Sequence, residues 1–219
     1  MTITLFVETS SVAYGGELDD LITVEVISKA NPDRMRFVNE IMMQESKKNR
    51  HHVPDTIDMM RDFSNLQSQY FMKHHVALAK QAPPCPVYNC FLGFEDKKFK
   101  PYLEKFNTAA IKDKQLILYT LQKDPNTARR IAAIGLIGHF NNPREIIQVL
   151  LPYVTDPYPL IRNYAMRVMC STMAKAKINN IYPLTFIDLL DSPYNIDRNK
   201  ALGVLAEIVN RPVAAKIVK

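Results

Sequence analysis

The chain has 219 residues, 47% of them apolar, and a formal net charge of +6. That is enough apolar material for an extensive core, and the length suits one domain or one domain with an N-terminal extension. Six glycines against fourteen prolines argue against a turn-rich β fold, three cysteines are too few for a disulfide framework, and no run of about 18 apolar residues offers a membrane span.

The first seven residues, Met1 to Val7, are apolar, and Ser11-Val12-Ala13 follows as a small-x-small pattern of the kind found at cleavage sites. The stretch lacks a basic start and carries Glu8, so as written it is not an export signal. It reads as a flexible lead-in over 1–16, closed by Gly15-Gly16, or as the remnant of a signal sequence. The expected compartment is periplasmic or secreted if Met1 is an internal or truncated start, and cytoplasmic otherwise. In Glu17 to Lys29 two patterns compete. Leu18, Leu21 and Ile22 follow a helical face, whereas Ile22 to Ile27 is β-branched and alternating. A helix is expected here because the text after it is helical.

Asn31-Pro32-Asp33 opens a helix with an Asn cap, Pro at the first position and an acid in the first turn. That helix runs to the basic stretch at Lys47-Lys48-Asn49-Arg50. Pro54-Asp55-Thr56 opens a second, in which Ile57, Met60, Phe63, Leu66 and Tyr70 recur at intervals of three and four as far as Leu78. The prolines at 83–86 end it. Helical text then resumes from Val87 to Leu92 and from Lys97 to Phe106. After that come paired helices: Ala109–Leu121 with Thr127–Phe140, Pro143–Val154 with Pro159–Ala174, and Ile181–Leu190 with Ile196–Val209, followed by a short tail at Val213–Lys219.

One pattern marks the turn within each pair. It reads Asp124-Pro125 with Arg130 and Ala133, then Asp156-Pro157 with Arg162 and Ala165, then Asp191-Ser192-Pro193 with Arg198 and Ala201. The arginines lie 32 and 36 residues apart. A period of that size in helical text marks a stacked helical repeat. Asp156-Pro157-Tyr158-Pro159-Leu160-Ile161-Arg162-Asn163-Tyr164-Ala165 resembles the HEAT-repeat signature, with weaker copies at 124 and 191. More narrowly, the text around Arg162-Asn163 and Asp197-Arg198 resembles uncharacterised bacterial HEAT-repeat proteins, a likeness that supplies no activity. The resemblance covers roughly residues 107–209. It implies an all-α fold, a right-handed α-α superhelix of helix pairs of the armadillo/HEAT kind. On this reading 17–106 is a divergent helical region and 107–219 holds about three HEAT-like pairs.

The signature has a physical logic. The turn aspartate is expected to accept from the open N–H groups of the second helix. The arginine one turn in reaches the aspartate of its own or a neighbouring pair, and the alanine admits a close helix approach. Asp124, Arg130, Asp156, Arg162, Asp191 and Arg198 are therefore a structural ladder, broken or re-registered where Ser192 is inserted. Their less regular neighbours Arg129, Asn163, Arg167, Asn199 and Lys200 are the candidate binding residues.

Other constellations are weaker. Cys85 and Cys90 flank a proline-containing connection that would bring two thiols within bonding range, and Cys170 reads as a buried free thiol. His51-His52, His74-His75 and His139 lack the spacing of a zinc site, so no metal or cofactor is expected. Six of the ten methionines fall between Met35 and Met72, as core filler or as an adaptable groove for a partner helix. Asp188/Asp191 and Asp19/Asp20 fit helix ends better than acid–base chemistry. No phosphate-binding glycine loop or nucleophile motif is present. The expected function is a non-enzymatic scaffold that holds a protein or peptide on a concave face built from the second helix of each pair. Two alternatives stand beside it: nucleic-acid binding of the DNA-glycosylase kind built on HEAT-like repeats, and a HEAT-like lyase. The first is weighed against lysines and arginines dispersed along the whole chain and the lack of tryptophan. The oligomeric state is left open.

Overall fold

A computed structural model describes residues 3–14, 17–28, 54–78, 85–90 and 93–209. The expected helix from Asn31 to Lys47, the His51-His52 doublet and the tail at Val213–Lys219 lie outside them. The chain divides into two compact units, Met1–Asn39 with Asn179–Lys219, and Glu40–Ile178.

The first unit opens with a hairpin. Strand β1 (Ile3–Tyr14) pairs antiparallel with β2 (Glu17–Ser28), in a register running from Tyr14↔Glu17 to Ile3↔Ser28. This corrects two expectations, the flexible lead-in over 1–16 and the helix over Glu17–Lys29. The β-branched alternation of Ile22 to Ile27 prevails over the helical spacing of three leucines and isoleucines. The register leaves only Gly15-Gly16 between the strands, a sequence suited to a two-residue hairpin connection. Among the described residues every other element is helical.

In the second unit, α1 (Thr56–Leu78) starts at a reciprocal cap. Asp55 Oδ1 accepts from the N–H groups of Ile57 and Asp58 at 2.9 and 3.1 Å, and Asp58 Oδ2 accepts from the Asp55 N–H at 3.2 Å. This capping box satisfies donors that a helix start leaves open. Ile57, Met60, Phe63 and Gln67 form its buried stripe. Phe63 meets the rings of Phe94, Phe99, Tyr102 and Phe106, so residues 93–106 are built onto α1 through aromatic contacts. Residues 85–90 form a bend closed by a disulfide between Cys85 and Cys90, correcting the helix expected from Val87. Five residues of helix would advance about 7.5 Å along the axis. The two Cα atoms are 5.6 Å apart, so the chain must fold back.

Helix α2 (Lys100–Lys112) ends at Asp113, where the backbone turns before α3 (Lys114–Lys123). The single helix expected over Ala109–Leu121 is thus two, and its first part belongs to the helix before it. Helix α4 (Thr127–Ile137) is capped by Asn126, and α5 (Pro143–Leu150) by Asn142 with proline at its start. A 3-10 turn, Leu151–Thr155, carries α5 into the next connection. Helix α6 (Pro159–Ala176) ends at Lys177, whose φ of 54° is left-handed, while the Ile178 N–H bonds the Met173 carbonyl at 3.0 Å. Within this unit α4 packs against α1, α3 and α6, and α5 packs on α6. Ala133 and Ala165 are fully buried, and a Cβ on Gly135 would stand 3.3 Å from the Met60 sulfur, so α4 and α1 approach closely.

The first unit resumes with α7 (Leu184–Asp188), a 3-10 turn at Leu189–Asp191 and α8 (Asn195–Val209). Helix α8 packs on the 3-10 turn and on α7, with Ala201 and Val204 fully buried.

Candidate functional site

The repeated turn is held by side chains in the same way three times. Asp124 Oδ1 accepts from the Asn126 N–H at 2.8 Å, Asp156 Oδ1 from the Tyr158 N–H at 2.9 Å, and Ser192 Oγ from the Tyr194 N–H at 3.2 Å. The aspartates therefore brace the turn itself, while Asn126 supplies the cap of α4 by accepting from the Ala128 and Arg129 N–H groups. Ser192, rather than Asp191, occupies the aspartate's place in the third copy. Counted from it, each arginine lies six residues on, and the apparent insertion disappears. Asp191 ends its 3-10 turn exposed.

The arginines do different work. Arg130 reaches forward to the next turn, its two terminal nitrogens facing the two Asp156 carboxylate oxygens at 3.5 and 2.5 Å, and its Nε donates to the Leu121 carbonyl. Both side chains are about nine-tenths buried, 11% and 8% exposed. Arg162 donates to the carbonyls of Asp156 and Pro157, and Arg198 to the carbonyl of Ser192 at 2.6 Å. Asp197, fully buried at the start of α8, accepts from the Ser192 hydroxyl.

The densest charge cluster lies one residue before the first ladder arginine. Arg129 bonds Asp55 at 2.8 Å, Asp58 at 2.7 Å and Asp124 at 2.8 Å, joining the start of α1 to the start of α4. Burial pulls this guanidinium down, but the hydrogen bonds to Asp55, Asp124 and Asp58 outweigh it and hold the group above its ordinary range. The outer wall of the cluster borders an open cleft of about 640 Å³. Asp55, Asp58, Asp62 and Asp113 line it together with Met59, Tyr102 and Leu116. Arg61 pairs with Asp58 and Asp62 at 3.2 Å, and Thr56 donates to Asp113 at 2.7 Å. Such a lining offers carboxylate oxygens beside half-exposed apolar surface, an arrangement that suits a cation on an apolar stem.

The five candidate binding residues divide between the two units. Arg129 belongs to the cluster just described. Asn163 is buried on α6, and Arg167 lies over the Tyr164 ring at 5.4 Å. Asn199 and Lys200 sit half-buried on α8. Helix α4 lies between α1 and α6 with most of its apolar residues buried, so its face is already covered. His139 is a core residue: its Nδ1 lies 2.8 Å from Asn107 Oδ1, its ring meets Phe94 and Phe106, and burial lowers its pKa to about 4. Among the described residues no group of three His, Cys, Asp or Glu could hold a metal ion, and no helix is long and apolar enough to cross a membrane.

Sequence reasoning did not find the acidic cleft, because Asp55 reads as a helix-start signal and Asp58, Asp62 and Asp113 fall in no motif. Asp55 and Asp58 form the capping box of α1, and they line the cleft as well. No family model matches the chain, and neither a curated protein nor a solved structure is similar to it.

Proposed function

We propose that the chain is a non-enzymatic helical-repeat module of the HEAT-like kind that holds a cationic, amphipathic protein segment. The repeat reading is supported by the turn bonds common to the three copies and by the rung from Arg130 to Asp156, which ties one turn to the next. The binding reading is carried by the cleft at the start of α1, where four aspartates stand beside Met59, Tyr102 and Leu116. The chain is basic as a whole, so this acidic lining is a local departure from its net charge. The same lining disfavours a polyanion at this position, which supports a peptide over nucleic acid as the proposed ligand.

The test is a binding titration with a lysine–leucine amphipathic peptide at low and high salt. Asp62 is exposed and touches only Arg61 among the contacts described for it, and Leu116 is half-exposed on α3, so both can be changed without opening the core. Asp62→Lys and Leu116→Ser should each weaken binding by about tenfold, with the Asp62 effect fading at high salt. Affinities equal to the parent's in both variants would overturn the assignment.

A further inference from the structure

The disulfide loop is attached to two helices by groups that depend on its closed shape. Lys175, in the last turn of α6, donates its ammonium to the carbonyls of Cys85 and Val87 at 2.5 and 2.8 Å, and lies over the Tyr88 ring at 5.9 Å. The Tyr88 N–H bonds the Gly138 carbonyl at the end of α4 at 3.1 Å. A Cβ on Gly138 would stand 3.0 Å from the Asn89 Cβ, so the loop lies directly on that helix end. Two carbonyls two residues apart converge on one ammonium only where the chain bends, and residues 86–88 are that bend. The cysteines at its two ends are half-buried and within reach of a small thiol reagent.

We propose that this loop is a redox-operated clasp joining the C-terminal ends of α4 and α6. A dithiol reductant gives two electrons and two protons: the Cys85–Cys90 sulfur–sulfur bond breaks, two thiols form, and the reductant becomes a disulfide. The opened loop regains backbone freedom, the pair of carbonyls no longer stays aimed at Lys175, and the last turn of α6 loses its tie to α4. The clasp acts through Lys175 and stands independently of the peptide-binding reading.

The experiment compares the native, oxidised protein with the same protein after dithiol reduction, reading hydrogen exchange in 172–176 and at Tyr88 and the rate at which an amine reagent labels Lys175. Reduction should speed exchange at these amides about tenfold while α5 is unchanged, and should speed labelling of Lys175. Cys85→Ser/Cys90→Ser should behave as the reduced protein; if that variant does not fold, the dithiol comparison on native protein decides alone. Lys175→Met keeps the disulfide and should make exchange at 172–176 insensitive to the reductant. Equal exchange and labelling in the two redox states overturn the proposal, as does a count of three free thiols in native protein.

Discussion

At the scale of single residues, the most visible members of the repeat and the most heavily bonded ones are not the same. Arg162 stands in the clearest copy of the pattern, yet its described bonds go to the backbone carbonyls of Asp156 and Pro157. Arg129, one residue off the pattern, is bonded to three carboxylates. Removing one partner of a buried ion pair leaves a charge without compensation and costs about 3–5 kcal/mol, whereas losing the hydrogen bonds of a charged group to carbonyls costs about 1.5–3 kcal/mol. Arg129→Ala should therefore lower unfolding free energy more than Arg162→Ala, as denaturant melts would read; equal losses would place the main tie back in the ladder. His139 carries a second prediction at this scale. Its folded pKa of about 4 lies below the ordinary histidine value of 6.5, so the unfolded chain binds the proton first. Its contribution is intact above pH 6.5 and is lost as pH falls toward 4, by about 3 kcal/mol over that window. His139→Gln should flatten that part of the stability profile; a profile as steep as the parent's would remove His139 from acid unfolding. Neither role was legible beforehand. Arg129 acquires its role from Asp55, 74 residues away, and His139 from burial beside Phe94 and Phe106, and no local pattern reports such contacts.

At the scale of elements, periodicity located the helices well and their ends less well. The stripe Ile57, Met60, Phe63 did become the buried face of α1, and prolines 143 and 159 did open α5 and α6. The failures arise where a tertiary tie prevails over helical spacing, aided in Glu17–Ser28 by the segment's own β-branched alternation. The disulfide folds back the stretch expected as helix from Val87, and strand pairing converts Glu17–Ser28. Two glycines of the α4 segment show how such contacts set the sign of a substitution. Both have helical backbone, so an alanine gains up to about 1 kcal/mol in helix propensity at either, more surely at Gly135 inside the helix than at Gly138 at its end. At Gly135 the new methyl meets the end of the flexible Met60 side chain at 3.3 Å, which can give way. At Gly138 it meets the Asn89 Cβ at 3.0 Å, in a loop fixed at both ends by cysteine. Gly135→Ala should be neutral or slightly stabilising, and Gly138→Ala should destabilise by about 1–3 kcal/mol. Thermal melts that move in the same direction for both would contradict this account of the loop seat.

For the whole molecule the question is what a net charge of +6 is for. A chain committed to nucleic acid gathers its cations where phosphates will lie, because each neutralised phosphate releases counterions and adds to the salt dependence of binding. Here several cations near the described helices are already occupied by carboxylates or carbonyls. Arg129 and Arg130 are paired with aspartates, Lys114 bonds Glu145 at 2.5 Å, and Lys175 is held by the disulfide loop. What remains is spread along the sequence, and the open cleft presents carboxylates instead. A nonspecific complex with duplex DNA should therefore be weak, and its log affinity should fall with log salt at a slope shallower than about −2, against about −5 for a protein that neutralises six phosphates. The lysine–leucine peptide, by contrast, should lose affinity with salt in step with the aspartates it covers, and Asp62→Lys should remove part of that dependence. A steep DNA slope that persists in Asp62→Lys would show that a cationic surface elsewhere on the molecule, rather than the cleft, governs what this chain binds.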